Sequence, residues 1–454
     1  MEPFHHHVFV CTQGRPEGAA SCPNHGSLRV LQALERELDS QGLDHQVQVT
    51  ACGCLGLCES GPVMMIYPEG IWYRRVKEED VAEIVGSHLR AGKVVSRLAW
   101  SDLPAMNAEI IESRNHYRAV VQAKDEAGTL PDGLNEMIRA FMPSRAVLTA
   151  LELDVFTAVA SGASAEHVAE KIQADPRATE MLLNVLVSLE LLDKKEGRFF
   201  NTLAAARFLC MGSRDNARDG LMHTAHLWRR WTSLTECVRA GTSVETGSHE
   251  ESCVSDFIRA MDRNARERAD TVVRATGIKG VVRMLDLGGG SGAYSIAFAR
   301  ALPGLKSEIL DRGDVVSLTQ EYIRKAGLAD RIATRAGDML CDPLGENYDL
   351  ILVSQICHMF SPEENRSLFR RTRQALGPKG KFVVQDFILE PDKTAPRAAA
   401  LFSLNMLVET RAGSSYSEPE YDSWLRNAGF TDVRRVRLPG PAGLMIAAAA
   451  ECAL

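Results

Sequence analysis

The sequence predicts an α/β protein in three parts: a small cysteine-rich α/β layer domain, a helical middle, and a doubly wound domain built on a parallel sheet. Three observations carry that reading. Five of the eleven cysteines crowd into residues 11–58, and apolar residues recur at helical spacing from 134 to about 275. From Arg283 onward, short apolar runs alternate with helical patterns, the order that lays helices on both faces of a parallel sheet. With 454 residues, 45% of them hydrophobic and 24% charged, the chain holds enough material for two or three separately cored domains.

The first part, residues 1–95, reads as a strand at His7–Cys11, a helix at Ser27–Ser40, strands at Gln46–Ala51 and Val63–Tyr67, and a helix at Glu78–Leu89. His5 to His7 could be a tag remnant or a metal site, but they run straight into Val8-Phe9-Val10 and read better as a strand entry. Residues 96–133 form a linker: a polar helix, Ala108–Ala127, and the turn Gly128–Gly133.

Residues 134–275 are helical, with apolar residues at helical spacing in Ala146–Ala160 and Met181–Leu192. Within them, Ala165–Thr202 reads as a winged helix: a short helix (Ala165–Lys171), a second helix, and a hairpin about Lys195-Glu196-Gly197. The second helix is rich in Leu, Val and Met where a DNA reader carries Arg, Lys, Asn and Gln, so packing or dimerisation is the stronger reading. The doubly wound part, 276–454, has strands expected at Met284–Leu287, Ser307–Leu310, Ile332–Ala336, Leu350–Ser354 and Lys381–Gln385.

A net charge of −7 with dispersed lysines and arginines argues against a nucleic-acid partner and for a small molecule. No window approaches eighteen uncharged apolar residues, and the N-terminus lacks a signal-peptide pattern. The expectation is a cytoplasmic protein without a membrane span.

Clustered cysteines in such a chain point to metal binding rather than disulfides. Cys11 and Cys22 bound one loop; Cys54 and Cys58 bound another, followed by Gly61-Pro62. Ligation rules alone leave zinc and iron-sulfur open. The runs VFVCTQGRPEGAASC and ACGCLGLCESGPVMMIYPEGIWYRRV resemble the thioredoxin-like 2Fe-2S ferredoxins over residues 7 to about 95. The resemblance implies Cys11, Cys22, Cys54 and Cys58 as ligands of a 2Fe-2S cluster, with Cys52 the rival for Cys54. The other six cysteines read as core packing. The pattern Cys-x-Cys-x3-Cys is not that of a radical enzyme.

In the last part, the strand Met284–Leu287 runs into Gly288-Gly289-Gly290-Ser291-Gly292, a turn that lets a ligand approach the backbone closely. Alone it would also satisfy a loose dinucleotide fingerprint. Asp311, about twenty residues on, stands where a ribose needs an acceptor, and Gly337-Asp338-Met339-Leu340 offers a carboxylate and an apolar side chain to an adenine. The alternative for both acids is helix capping. Three strand ends in order point to one nucleoside pocket.

Residues 134–450 resemble the plant-type small-molecule O-methyltransferases and their bacterial relatives, on the helical domain, LDLGGGSG, Asp311, GDML and NAGF. That resemblance implies S-adenosylmethionine (SAM) contacts at Gly288, Gly290, Asp311, Asp338, Met339 and Ser354, a homodimer, and an aromatic or polyene-like acceptor. It also implies His358, just past the fourth strand, as catalytic base, with Asp386 as its acidic support. Ser415 falls where a second acid is usual, and Met359 replaces an acidic neighbour. His223, His226, Trp228, Trp231, Phe257, Met261 and Met406 offer acceptor walls, or equally core packing. Methyl transfer needs no electron, so the cluster implies a redox partner protein, a redox-active substrate or control of the enzyme. Two other readings share the same motifs: a SAM-binding redox protein with non-methylating chemistry, and an iron-sulfur carrier with a SAM-sensing domain.

Overall fold

The computed structural model describes residues 4–15, 19–244, 251–277 and 279–449, without the side chains of Asp132, Asp219 and 251–256. It divides after Phe141 into two compact units.

In the first unit, strands β1 (His6–Cys11), β2 (Val47–Cys52), β3 (Met64–Tyr67) and β4 (Ile71–Tyr73) form a sheet of order β2-β1-β3-β4. β1 and β2 are parallel, which requires a crossover, and the helix Ser27–Ser40 makes it. Its Val30, Ala33, Leu34 and Leu38 share one stripe and are buried on the sheet. The histidine run enters β1 as expected: His7 Nε2 lies 2.7 Å from Thr50 Oγ1, and His6 pairs with Glu69.

Two local expectations need correction. The helix expected at Glu78–Leu89 is a 3-10 turn (Glu78–Asp80), a short α-turn (Val81–Glu83) and a π-wound segment (Ile84–Arg90). The wider winding keeps Ile84, Val85, His88 and Leu89 buried together and sets His88 Nδ1 2.9 Å from the Tyr73 hydroxyl. The polar helix starts earlier than composition suggests, at Leu103, and runs to Glu126; Asp102 caps it, accepting from the Ala105 N–H at 3.0 Å, with Pro104 in its first turn. It packs back onto the first unit, where Met106 is buried with Cys11, Cys22, Leu57 and Val63.

The second unit opens with helices. Asp154, at a φ of 56°, splits the expected Ala146–Ala160 run into Phe141–Glu152 and Val155–Val159. Helices Ala165–Ile172 and Pro176–Ser188, capped by Ser164 and Asp175, then lead into the hairpin β5 (Leu192–Lys195) and β6 (Arg198–Asn201). Its turn, Glu196-Gly197, has two positive φ angles, the two-residue form that matches strand twist. Leu148, Leu151, Phe156, Leu183, Leu186 and Phe199 form the core beneath.

The large sheet holds β7 (Arg283–Leu287), β8 (Lys306–Asp311), β9 (Ile332–Ala336), β10 (Tyr348–Ser354), β11 (Leu376–Asp386), β12 (Phe430–Arg437) and β13 (Gly443–Ala449). Their order is β12-β13-β11-β10-β7-β8-β9. The run from β11 to β9 is parallel, whereas β13 is antiparallel to both β11 and β12. The sheet is therefore mixed, not wholly parallel. One face packs Leu285, Ile351, Phe369, Phe382 and Trp424; the other packs Val272, Phe298, Ile309, Leu350 and Val383. Strand order reverses between β7 and β10, which opens a crevice at their carboxyl ends.

Candidate functional site

The crevice is built from the glycine turn outward. Gly288 has a φ of 70°, and a Cβ there would stand 2.5 Å from Ile356 Cδ1 and 3.2 Å from Met339 Cε, so only glycine fits between strand and wall. The Gly288 N–H donates to Leu310 O at 2.8 Å, and Thr319 Oγ1 donates to Gly290 O at 2.6 Å, which ties the turn to β8 and the helix after it.

Asp311 closes β8. Its carboxylate accepts from the Gly290 N–H at 2.8 Å and the Arg312 N–H at 2.7 Å. Burial pushes its pKa above the ordinary carboxylate value, against those two donors. A carboxylate offers about four lone-pair positions, so acceptor capacity for a ribose is left. Asp338 is exposed and organises its own turn, accepting from the Leu340 N–H at 2.8 Å, while Met339 stands half-buried against the turn. Ser354, at the end of β10, donates to Gln385 Oε1 at 2.6 Å. The structure thus brings Gly288, Gly290, Asp311, Met339 and Ser354 to one sheet edge, with Asp338 at its rim.

His358 lies in a short 3-10 turn, Cys357–Met359, at the same edge. Its Nδ1 is 2.7 Å from Asp386 Oδ1, and its backbone N–H donates to Asp386 Oδ2 at 3.1 Å. Asp386 ends β11 and is 1% exposed. The carboxylate also accepts from the Phe387 N–H at 2.8 Å and the Tyr421 hydroxyl at 3.3 Å. Phe402 stands edge-on to the imidazole with centroids 4.8 Å apart. Ser415 is buried and its hydroxyl has no partner among the described residues.

Of the proposed walls, His223 meets Phe257 edge to face at 5.2 Å, and Trp231 Nε1 donates to Asn405 at 2.8 Å, which links helix Arg218–Trp231 to helix Arg397–Glu409. Met406 is buried and packs as core. Trp228 packs against the core of the helical region. His226 and Met261 are half-buried.

The cysteines of the first unit gather as a group of free thiols: Cys22 and Cys54 both neighbour Cys11, and Cys54 Sγ lies 3.5 Å from Cys58 Sγ. Hydrogen bonds from Cys11 and Cys58, joined by the Gly56 N–H and Arg15, hold the Cys54 thiol far below its ordinary pKa. Arg15 Nη2 donates to Cys54 Sγ at 2.7 Å, and its buried Nε has no partner among the described residues. Cys52 ends β2 opposite Cys11 and packs beside the group. Among the described residues no three His, Cys, Asp or Glu side chains form a single-ion site. Four thiols in one group suit a two-iron cluster, which spreads its ligands over two metals. The orphaned Arg15 N–H suits the acceptor sulfur such a cluster adds.

Of the six remaining cysteines, Cys237 and Cys357 are buried and Cys210 is half-buried, but Cys341 is exposed beside Asp338, so core packing does not describe it. The side chains of Cys253 and Cys452 lie outside the described residues. Ile356 and Tyr421 were not foreseen as site residues. Ile356 sits two places before His358, within reach of a sequence argument; Tyr421 comes from a helix 35 residues past Asp386 and carries no local signal.

A dinucleotide fold repeats two parallel βαβαβ halves. Antiparallel β13, inserted beside β11, breaks that repeat, and the carboxyl edge is that of a SAM-dependent methyltransferase. The comparisons with known proteins agree. Residues 236–431 match the O-methyltransferase domain, 135–210 the O-methyltransferase dimerisation domain, and 3–88 the thioredoxin-like [2Fe-2S] ferredoxin. The chain is 32% identical over 324 residues to 3-hydroxy-5-methyl-1-naphthoate 3-O-methyltransferase of Streptomyces sahachiroi, covering 68% of this chain and 92% of that protein. It is also 32% identical to acetylserotonin O-methyltransferase of Bos taurus, over 68% of this chain and 94% of that one. Human N-acetylserotonin methyltransferase, solved in complex with SAM, superposes with a TM-score of 0.63 at 26% identity, over 70% of this chain and 96% of that one. The chain belongs to the O-methyltransferase family. Its cofactors are SAM and a 2Fe-2S cluster. No helix among the described residues is long and apolar enough to cross a membrane.

Proposed function

We propose that this enzyme methylates a hydroxyl on a flat, apolar aromatic acceptor, with His358 as base, and that it works as a homodimer. The observation that carries the reading is the 2.7 Å contact between His358 Nδ1 and the buried carboxylate of Asp386 at the crevice edge. The relatives named for a naphthoate and for acetylserotonin support an aromatic acceptor of two fused rings.

When bound, SAM supplies a methyl on a sulfonium, an electrophile with a good leaving group already attached. The chain's work is then to position and deprotonate the acceptor. Asp386 accepts from Nδ1–H, which fixes the tautomer and leaves Nε2 as the acceptor atom. Nε2 would take the acceptor's hydroxyl proton, and Asp386 would offset the positive charge gained by the ring. Tyr421 and the Phe387 N–H hold the carboxylate in turn. Phe402 fixes the ring plane. Gly288, Gly290, Asp311, Asp338, Met339 and Ser354 would hold SAM, and Cys11, Cys22, Cys54 and Cys58 would hold the cluster. The cluster's role is regulatory or redox coupling, through a partner protein that delivers electrons.

The test pairs two substitutions. His358→Ala should lower turnover on hydroxylated naphthoates and indoles by roughly 10²–10⁴-fold while calorimetry finds SAM affinity unchanged. Asp311→Ala should abolish SAM binding. Wild-type turnover in the first variant would remove His358 as the base; wild-type affinity in the second would remove Asp311 from the pocket.

A further inference from the structure

The helix Leu103–Glu126 lies beyond the segment that matches the ferredoxin family, which ends at residue 88. Only Met106 of its 24 residues is fully buried, so apolar packing alone does not hold it. Its contacts fall on one stripe, Met106, Glu109, Ile110, Ser113 and Tyr117, at the spacing of a single helix face. Every one of them reaches the cysteine loops. Glu109 accepts from the Ser60 N–H at 3.0 Å and the Ser60 hydroxyl at 2.7 Å. Ile110 closes over Gly56, where a Cβ at φ 88° would stand 3.2 Å from its Cγ1. Ser113 lies beside Cys58. Arg15, bonded to Cys54, lays its guanidinium over the Tyr117 ring at 4.1 Å.

We infer that helix Leu103–Glu126 is a cap on the cluster whose docking is coupled to the cluster's oxidation state, with Arg15 and Tyr117 as positioning residues that favour the reduced form. This rests on the reading of Cys11, Cys22, Cys54 and Cys58 as ligands. Reduction takes one electron from an external one-electron donor, turns one ferric ion ferrous and breaks no bond. The added negative charge spreads onto the ligand sulfurs, where hydrogen-bond donors and solvent exclusion set the potential. A guanidinium aimed at one of those sulfurs, and held there by the Tyr117 ring, binds the reduced form more strongly. By linkage, whatever docking does to reduction, reduction does to docking.

The experiment uses the full chain, purified without oxygen, in a dye-mediated redox titration followed by visible absorption and electron paramagnetic resonance. Tyr117→Ala and Arg15→Met should each make reduction about tenfold less favourable, a negative shift of about 59 mV for one electron; Tyr117→Phe and Arg15→Lys should restore most of it. Trypsin cleavage at Arg114 and Arg118, read by mass spectrometry, should be slower in the dithionite-reduced protein than in the oxidised one. Unchanged potentials with an intact cluster spectrum, or equal cleavage of the two states, would overturn the inference. Should Tyr117→Ala lose its cluster, Glu109→Gln, which touches Ser60 and no thiol, carries the cleavage comparison. A colourless wild-type protein would overturn the ligand reading itself, a separate failure.

Discussion

Asp286 is fully buried in the middle of β7, beneath the glycine turn. Its Oδ2 accepts from Ser295 at 2.8 Å, Ser295 meets Ser307 at 2.9 Å, and its Oδ1 has no partner among the described residues. Burial pushes its pKa up to about 7 from an ordinary 3.8. Between those values the unfolded chain releases the proton and the folded chain keeps it. Stability is therefore full below about pH 4 and falls as pH rises, by about 1.4 kcal/mol per unit at most, until both states are ionised near pH 7. Asp286→Asn stays neutral throughout, so its melting temperature relative to wild type should climb from pH 4 to 7 and level above. A difference independent of pH in scanning calorimetry would show that Asp286 ionises as an ordinary carboxyl. The sequence displayed this acid within LDLGGGSG, yet the glycines draw the reading, because nothing local distinguishes a buried acid in a strand from one at its end. His358 and Asp386 stood out because the family resemblance falls on them and both lie at the ends of apolar strands, His358 just past β10 and Asp386 as the last residue of β11. Ser415 shows the limit, since its burial comes from packing that no local pattern displays.

At the scale of elements, strong periodicity was read correctly and short or packing-dependent elements were not. Helix Ser27–Ser40 has the expected bounds and Ile332–Ala336 the expected strand, both with clear patterns and flanking turns. β4 is three residues long, and β13 reads Gly-Leu-Met-Ile-Ala-Ala-Ala, an alanine-rich run with weak strand propensity. It becomes a strand because Val383 and Ile446 pair across the sheet. The loop after helix Arg397–Glu409 is another element set by packing. Gly413 lies so close to the His358 turn that a Cβ would stand 2.3 Å from His358 O, and Ser414 N–H donates to that same oxygen at 2.9 Å. Gly413→Ala should therefore push the His358 turn aside. Misplacement by about 1 Å lowers turnover on the order of 100-fold, while SAM, held by other elements, binds as before. Wild-type turnover would show that the loop yields instead of the turn.

For the whole molecule, what the sequence could not show is which apolar surface stays uncovered in one chain. Met142, Met181 and Val185 are between 41% and 58% exposed, within or beside helices of the span that matches the dimerisation domain. An apolar recess of about 420 Å³ lies in the same region, lined by Val147, Leu148, Leu151, Leu189 and Leu191. Helical periodicity marked Met181 and Val185 as apolar, but only the packed fold shows that their own core does not take them. Such a surface on a lone chain favours association, since apolar area gains when removed from water. The protein should scatter light as a particle of twice 49.8 kDa at micromolar concentration. Replacing both Met181 and Val185 with Glu puts two carboxylates against an apolar partner. About 3 kcal/mol of lost association, roughly a hundredfold in the dissociation constant, should then yield monomers at the same concentration. A wild-type monomer would overturn the homodimer, whereas a dimeric double variant would move the interface to another face. Because neither residue touches His358 or the glycine turn, retained SAM affinity in the monomer would separate assembly from cofactor binding, and any loss of turnover would then belong to the partner chain's support of the acceptor pocket.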